Sequence, residues 1–245
     1  RFCEALVIPA ILTALMSILA NIDKVNIKFN MSIYVASTVF GGLVGRIFSG
    51  FIATKFSYEF VFYSLSAALL LSLFLIRKLD YEGDATIVKP KLDDILIILK
   101  DRRFVLIYFI MFCMFFVFAG VLNVLPFRVK QISESFSEFQ ISLLYLGYGM
   151  GILVSLGSKK IIDFFKNEIN TIIVAISFFL FIAIFLTNQD IIYLFILLFL
   201  FCIGMFTVHT VSTGLANSMK SSQKSLTSGM YLTFYYLGGA TGSFI

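Results

Sequence analysis

The run FVLIYFIMFCMFFVFAGVLNVLPF, Phe104 to Phe127, carries no charged side chain, and its reading decides the fold. A spanning α-helix needs about 20 consecutive, mostly apolar residues. This run exceeds that length with one amide, Asn123, in its second half. Seven further runs are long and mostly apolar: Arg1–Ile22, Met31–Phe51, Tyr58–Ile76, Phe139–Gly157, Ile169–Leu186, Ile191–Ala216 and Leu226–Ile245. The whole chain of 245 residues is 60% hydrophobic and only 13% charged, against about 25% charged in soluble domains. No water-soluble core hides that much apolar side chain, so lipid is the solvent. In lipid a single chain of this kind satisfies its backbone through helices. The expected fold is all-α: a polytopic membrane helical bundle with eight transmembrane helices. Ser137 followed by Gln140 fits a capping box at one helix start.

Just before the Phe104 run lies a different kind of segment. Arg77–Arg103 is rich in charge and contains Pro90. Within it Leu92, Ile95, Leu96 and Leu99 follow i, i+3, i+4, i+7 spacing, which predicts a short amphipathic helix over Leu92–Lys100 lying at the membrane surface. The chain therefore divides into 1–76 with three spans, the linker 77–103, and 104–245 with five. Neither end looks like a natural terminus. Arg1 opens almost directly on an apolar run, and Gly238–Ile245 stops inside another. The expectation is a truncated chain in which 1–76 is the remnant of an N-terminal half.

With the sides of the membrane alternating, one side receives Lys24 and Lys28, the seven basic residues of 77–103, then Lys159, Lys160 and Lys166, then Lys220 and Lys224. The other receives Lys55, Arg128 and Lys130. Positive-inside asymmetry makes the first side, and with it the linker, cytoplasmic. The net charge of +5 therefore serves topology. It forms no basic face, so a nucleic-acid partner is excluded. Cys3, Cys113 and Cys202 sit in or beside apolar runs at no metal-binding spacing, and read as small buried hydrophobes.

Polar groups at depth carry the functional reading. Ser37, Gly41, Gly45, Ser49 and Ala53 recur every four residues, a stripe that lets helix backbones approach closely. It serves either static packing or a helix that rocks against a partner. On the adjacent stripe lie Gly42, Arg46 and Gly50. A charge at mid-membrane costs at least about 2.5–3.5 kcal/mol. Arg46 therefore faces a cavity or a partner on another helix, or snorkels from a position nearer the outer end; its own run holds no acid. Asn123, Thr210, Thr213, Asn217 and the single histidine, His209, are also deep. His209 is either a proton carrier or a neutral, hydrogen-bonded side chain. Tyr145, Tyr148, Tyr231, Tyr235 and Tyr236 line a path or sit at interfaces. No nucleophile elbow, HExxH or Walker pattern is present, so nothing supports an enzyme, a metal or a cofactor. With no ATP-binding domain in the sequence, energy would come from an ion gradient.

Two stretches carry a resemblance. Gly41-Gly-Leu-Val-Gly-Arg-Ile-Phe-Ser-Gly50, followed by Phe56-Ser-Tyr-Glu-Phe-Val-Phe62, resembles helix five and its turn in the major facilitator superfamily, in the arabinose-efflux-permease-like branch of drug/proton antiporters. Val208-His-Thr-Val-Ser212 with Ser228-Gly-Met-Tyr-Leu-Thr-Phe-Tyr-Tyr-Leu-Gly238 resembles helices ten and eleven of the same branch. The turn reads Tyr58-Glu59 where that branch has Trp-Arg. Arg1-Phe-Cys-Glu4-Ala5 resembles the fourth-helix motif Arg-x-x-Gln-Gly, with Glu4 and Ala5 in place of Gln and Gly. Lys159-Lys-Ile-Ile-Asp163-Phe-Phe-Lys-Asn keeps only the acid and the basic character of the family's loop after helix eight.

The resemblance implies two six-helix halves, of which this chain covers helices four to eleven of twelve. It implies a multi-pass protein of the cell (inner) membrane that exports a small molecule, a drug, sugar or metabolite, by alternating access coupled to protons. Its partners would be the lipid bilayer, the substrate and protons, and it would act as a monomer. Arg1 and Glu4 would belong to the coupling site. Arg46, Asn123 and His209 would face the cavity. Gly41, Gly42, Gly45, Ser49 and Gly50 would sit at the interface of moving parts, and Asp163 would gate the cytoplasmic side. The competing reading is a sensor or assembly protein on the same scaffold that transports nothing.

Overall fold

The computed structural model describes residues 2–78, 91–219 and 224–244, with side chains from 7–78, 91–219 and 225–244. Arg1, Lys89, Pro90 and Lys220, and the side chains of Cys3 and Glu4, lie outside these. The described elements are helical: α1 (Phe2–Ile22), α2 (Ile27–Lys55), α3 (Tyr58–Ile76), α4 (Leu92–Lys100), α5 (Arg102–Ile132), α6 (Glu138–Leu143), a 3-10 turn (Leu144–Gly147), α7 (Tyr148–Leu156), α8 (Ser158–Phe164), α9 (Glu168–Phe185), α10 (Ile191–Ser218) and α11 (Lys224–Gly242). Six stretches are long and apolar enough to cross a membrane: α2, α3, α5, Glu138–Leu156, α9 and α10. With α1 and α11 packed among them, the molecule is an all-α membrane bundle.

Several boundaries differ from the expectation, for physical reasons. The Met31–Phe51 span is the apolar middle of α2, which continues to Ile27 and Lys55. Hydropathy marks the part in hydrocarbon, whereas helical hydrogen bonding continues through polar ends. The Phe139–Gly157 span is broken by the 3-10 turn. There α10 comes so close that a Cβ on Gly147 would lie 3.2 Å from the Leu198 carbonyl. The short helix α8, over Ser158–Phe164, was not foreseen from its charged sequence. α4 occupies Leu92–Lys100, as its spacing predicts, with Ile98 buried. Of the cysteines whose side chains are described, Cys202 is buried as expected and Cys113 is exposed, which corrects the reading of Cys113 as buried. Cys113 falls on the side of α5 that faces outward.

Local chemistry starts and stops these helices. At α6 the Ser137 hydroxyl accepts from the Gln140 backbone N–H at 3.2 Å, and the Gln140 side-chain Oε1 accepts from the Ser137 backbone N–H at 2.9 Å. At α5, α9 and α10 the side chains of Asp101, Asn167 and Asp190 accept from backbone N–H groups of the first turn. Each such cap contributes about 1 kcal/mol. The turn into α2 closes on Asp23, which accepts from the Asn26 amide at 2.7 Å and from the Val25 N–H at 2.9 Å. Those bonds hold the Asp23 carboxyl below the usual carboxylate range.

Between helices, glycine decides how near two backbones come. Along α5 and α11, a Cβ on Gly238 would run into the Phe112 carbonyl, and one on Gly242 into the Phe116 carbonyl. Where α9 meets α10, a Cβ on Gly204 would lie 2.8 Å from the Phe179 Cβ. These contacts knit α5, α9, α10 and α11 into one group. α1 and α2 lean on it at two levels. At one end Ser17 and Ser225 are hydrogen-bonded at 2.8 Å, and a Cβ on Gly214 would come within 3.5 Å of the Lys28 Cα. At the other end the Thr54 hydroxyl accepts from the Phe139 N–H at 3.1 Å. The candidate site lies between these levels. α3 is almost bare, with 6% of its apolar window buried, so its surface is one that lipid or another helix must cover.

Candidate functional site

α1, α2, α5, α7 and α11 enclose an open cavity of about 520 Å³. Its lining includes Arg46, Asn123, Tyr148, Tyr236, Phe115 and Phe118, and Arg46 is the one charged residue among the described residues of the lining. The Arg46 guanidinium does not extend along its helix toward Lys55. Nη1 turns back one turn and donates to the Gly42 carbonyl at 3.1 Å. The group lies over two rings, 4.7 Å from the Tyr148 centroid and 5.2 Å from that of Tyr145. Each cation–π contact contributes about 0.5–2 kcal/mol, so two offset much of the roughly 2.5–3.5 kcal/mol insertion cost of the charge. Among the described residues no carboxylate lies within ion-pair distance of Arg46. Asn123 is exposed to the cavity, and its amide has no hydrogen bond among the described residues.

The structure thus brings together Arg46 and Asn123, which the sequence singled out separately. His209 is not among the lining residues. It is 5% exposed, with Nδ1 2.8 Å from the Tyr231 hydroxyl, which is itself 2.8 Å from the Thr213 hydroxyl. The Ser228 hydroxyl donates to the Asn217 side-chain Oδ1 at 2.7 Å, and the Tyr108 hydroxyl donates to the Thr227 backbone carbonyl at 3.0 Å. This buried polar network ties α10, α11 and α5 together. The His209 ring stacks on Tyr235 at 4.9 Å, and Tyr235 stacks on the cavity residue Phe115 at 3.8 Å. The imidazole therefore sits behind the cavity wall.

Around Gly41 and Gly45 there is open space, since a Cβ at either would meet nothing within 4 Å. The close contacts belong to the neighbouring stripe. A Cβ on Gly42 would lie 3.9 Å from the Tyr148 ring, and one on Gly50 would lie 2.5 Å from the Ser142 hydroxyl. Ser49 is half-buried. The Arg1 and Glu4 side chains fall outside the described residues.

At the opposite end of the bundle a second cavity, about 890 Å³, is lined by Lys24, Lys28, Lys159, Lys160, Asp163 and Glu168 among others. Lys28 and Glu168 form an ion pair across it, from α2 to α9. Asp163 is exposed on its rim, with no ion pair among the described residues. Sequence reasoning missed that ion pair, whose partners stand far apart in the chain. It flagged Tyr145 and Tyr148 without connecting them to Arg46. Their spacing of three puts both rings on one helical face, which is the signal that links them. No group of His, Cys, Asp and Glu suited to a metal occurs among the described residues.

A sequence-family model described as Major Facilitator Superfamily matches residues 1–243. Among curated proteins, an "Uncharacterized transporter" of Buchnera aphidicola subsp. Schizaphis graminum (strain Sg) is 23% identical over 233 residues, covering 93% of this chain and 56% of the relative. A second "Uncharacterized transporter", from Buchnera aphidicola subsp. Baizongia pistaciae (strain Bp), is 25% identical over 235 residues, covering 87% of this chain and 54% of the relative. The chain spans about half the length of these relatives. No solved structure matches it.

Proposed function

The chain belongs to the Major Facilitator Superfamily, and from that premise we propose that its protein is a secondary active transporter that moves a small molecule out of the cell by proton-coupled alternating access. The observation that carries this reading is the cavity around Arg46, which lies between α1 and α2 on one side and α5, α7 and α11 on the other. A volume of about 520 Å³ falls in the range that holds metabolite-sized ligands. At the end bearing Lys24 and Lys159, the Lys28–Glu168 pair and the Ser17–Ser225 hydrogen bond join the two groups of helices. In alternating access these contacts would break while others form at the far end. Asp163, on the rim of that end, is assigned to its gate. Arg1 and Glu4 keep their assignment to the coupling site, and the protein is assigned to the cell membrane as a monomer.

The test is transport by the full-length protein in proteoliposomes with an imposed pH gradient, read as gradient-dependent movement of a screened metabolite set. Gly41→Leu and Gly45→Leu sharpen it. A Cβ at either position meets nothing within 4 Å, so static packing predicts wild-type insertion and wild-type transport. Motion at this face predicts normal insertion with transport reduced at least about tenfold, while Gly83→Leu in the linker stays mild. Equal effects at the three positions would remove the moving-interface assignment.

Orientation has its own test. Single cysteines at Asp84 and Lys89, in a background without the native cysteines, should react with an impermeant maleimide only after the inner face is opened. Labelling of intact cells would reverse the topology.

A further inference from the structure

We infer that the cavity's ligand is an organic anion with a flat apolar body, its acidic group held by Arg46 and its body by the aromatic wall. The inference rests on the transporter reading for its physiological meaning and on the cavity alone for its chemistry.

Three observations carry it. First, the charge balance of the cavity is one-sided. Among the described residues Arg46 is the only charged one in the lining, and no carboxylate pairs with it. A guanidinium has five N–H donors; among the described residues one hydrogen bond engages it, Nη1 to the Gly42 carbonyl. The remaining donors form a fork suited to a planar carboxylate or a phosphate. Second, the group is held in place before any ligand arrives, by Tyr145 and Tyr148 beneath it and the Gly42 carbonyl behind it. A preorganised donor loses less freedom on binding than a mobile one. Third, the rest of the lining suits an apolar body. Phe115, Phe118, Tyr148 and Tyr236 present rings, and the unbonded Asn123 amide offers one further polar contact. A cationic ligand would meet the like charge of Arg46 and, among the described residues, no carboxylate in this cavity. A neutral ligand would leave the guanidinium donors unmatched.

A charge series at constant shape tests this: 2-naphthoate, 2-naphthylmethanol and 2-naphthylmethylammonium. Equilibrium binding is measured on the full-length protein in phosphatidylcholine nanodiscs, with empty nanodiscs subtracted. The expected result is saturable binding of 2-naphthoate, at least tenfold tighter than either analogue, and loss of that preference in Arg46→Gln. A preference for the ammonium, equal affinity across the series, no saturable binding of 2-naphthoate, or a preference that survives Arg46→Gln would each overturn the inference. Because the preference is read first on the unaltered protein, misfolding of the variant does not protect the idea. Binding needs no gradient, so anion binding without transport would sink the transporter reading and leave the anion site standing. Gradient-driven movement of cations alone would do the reverse.

Discussion

Gly242→Val should destabilise the fold markedly, and Gly238→Val nearly as much. Both glycines face α5 where two backbones touch, and the first added carbon would occupy the space of the Phe116 or Phe112 carbonyl oxygen. A flexible side chain could yield to such an intrusion, but a helix backbone cannot. The helices must separate, and the contacts between them go with the separation. On the same seam, a Cβ on Gly120 would lie 3.0 Å from the Gly242 carbonyl, so moving α11 to relieve one clash disturbs the next. Overpacking a well-packed site costs about 1–3 kcal/mol, and backbone against backbone belongs at the top of that range. With about 1.4 kcal/mol per tenfold, the folded-to-unfolded ratio should fall roughly 10- to 100-fold. Size-exclusion profiles and thermal midpoints of the purified full-length protein measure it. Gly41→Val, on the open face of α2, is the control and should match wild type in both. A wild-type thermal midpoint for Gly242→Val would mean that α5 and α11 are not packed as described.

What the sequence makes legible here divides by physics. The membrane class is plain from the Phe104–Phe127 run, because lipid forces long apolar helices and hydropathy reports them directly. The Leu92–Lys100 helix is plain too, since its apolar residues keep helical spacing against a charged background. Boundaries are less so, as α2 shows: its polar ends at Asn30 and Lys55 are as helical as its middle. The break at Leu144–Gly147 has no local signal at all, because it depends on the approach of α10 from over fifty residues away. The glycine stripe illustrates the same limit. Periodicity of four identifies a small face on α2, but the pairing of small residues at helix crossings is set by the partner. The closest approach fell instead to Gly238 and Gly242, which the sequence analysis did not mark as interface residues. For the site, a lone charge in an apolar run was enough to mark Arg46. His209 was marked by rarity, and its surroundings could not be read from one chain position; Tyr231 and Tyr235 hold it from another helix.

The largest functional effect is expected at Arg46. Arg46→Lys should keep part of the transport activity of the full-length protein, and Arg46→Met should lose nearly all of it, at least about 100-fold. Lysine preserves the charge near the Tyr145 and Tyr148 rings but not the planar fork, so its ammonium reaches fewer acceptors at once. Methionine has comparable length and belongs in lipid. Removing the charge should leave insertion level or improve it, since the mid-membrane cost of about 2.5–3.5 kcal/mol disappears. The two quantities therefore move in opposite directions, and a folding defect cannot imitate that pattern. A snorkelling arginine predicts something else: Met would transport as wild type, because nothing functional depended on the charge. The guanidinium's hydrogen bond back to Gly42 and its place over two rings inside the cavity argue for the first outcome. The measurement is gradient-driven transport per inserted protein, with insertion quantified separately. Wild-type rates for Arg46→Met would make Arg46 a packing residue and leave Asn123, Tyr148, Tyr236 and Ser243 as polar groups of the cavity.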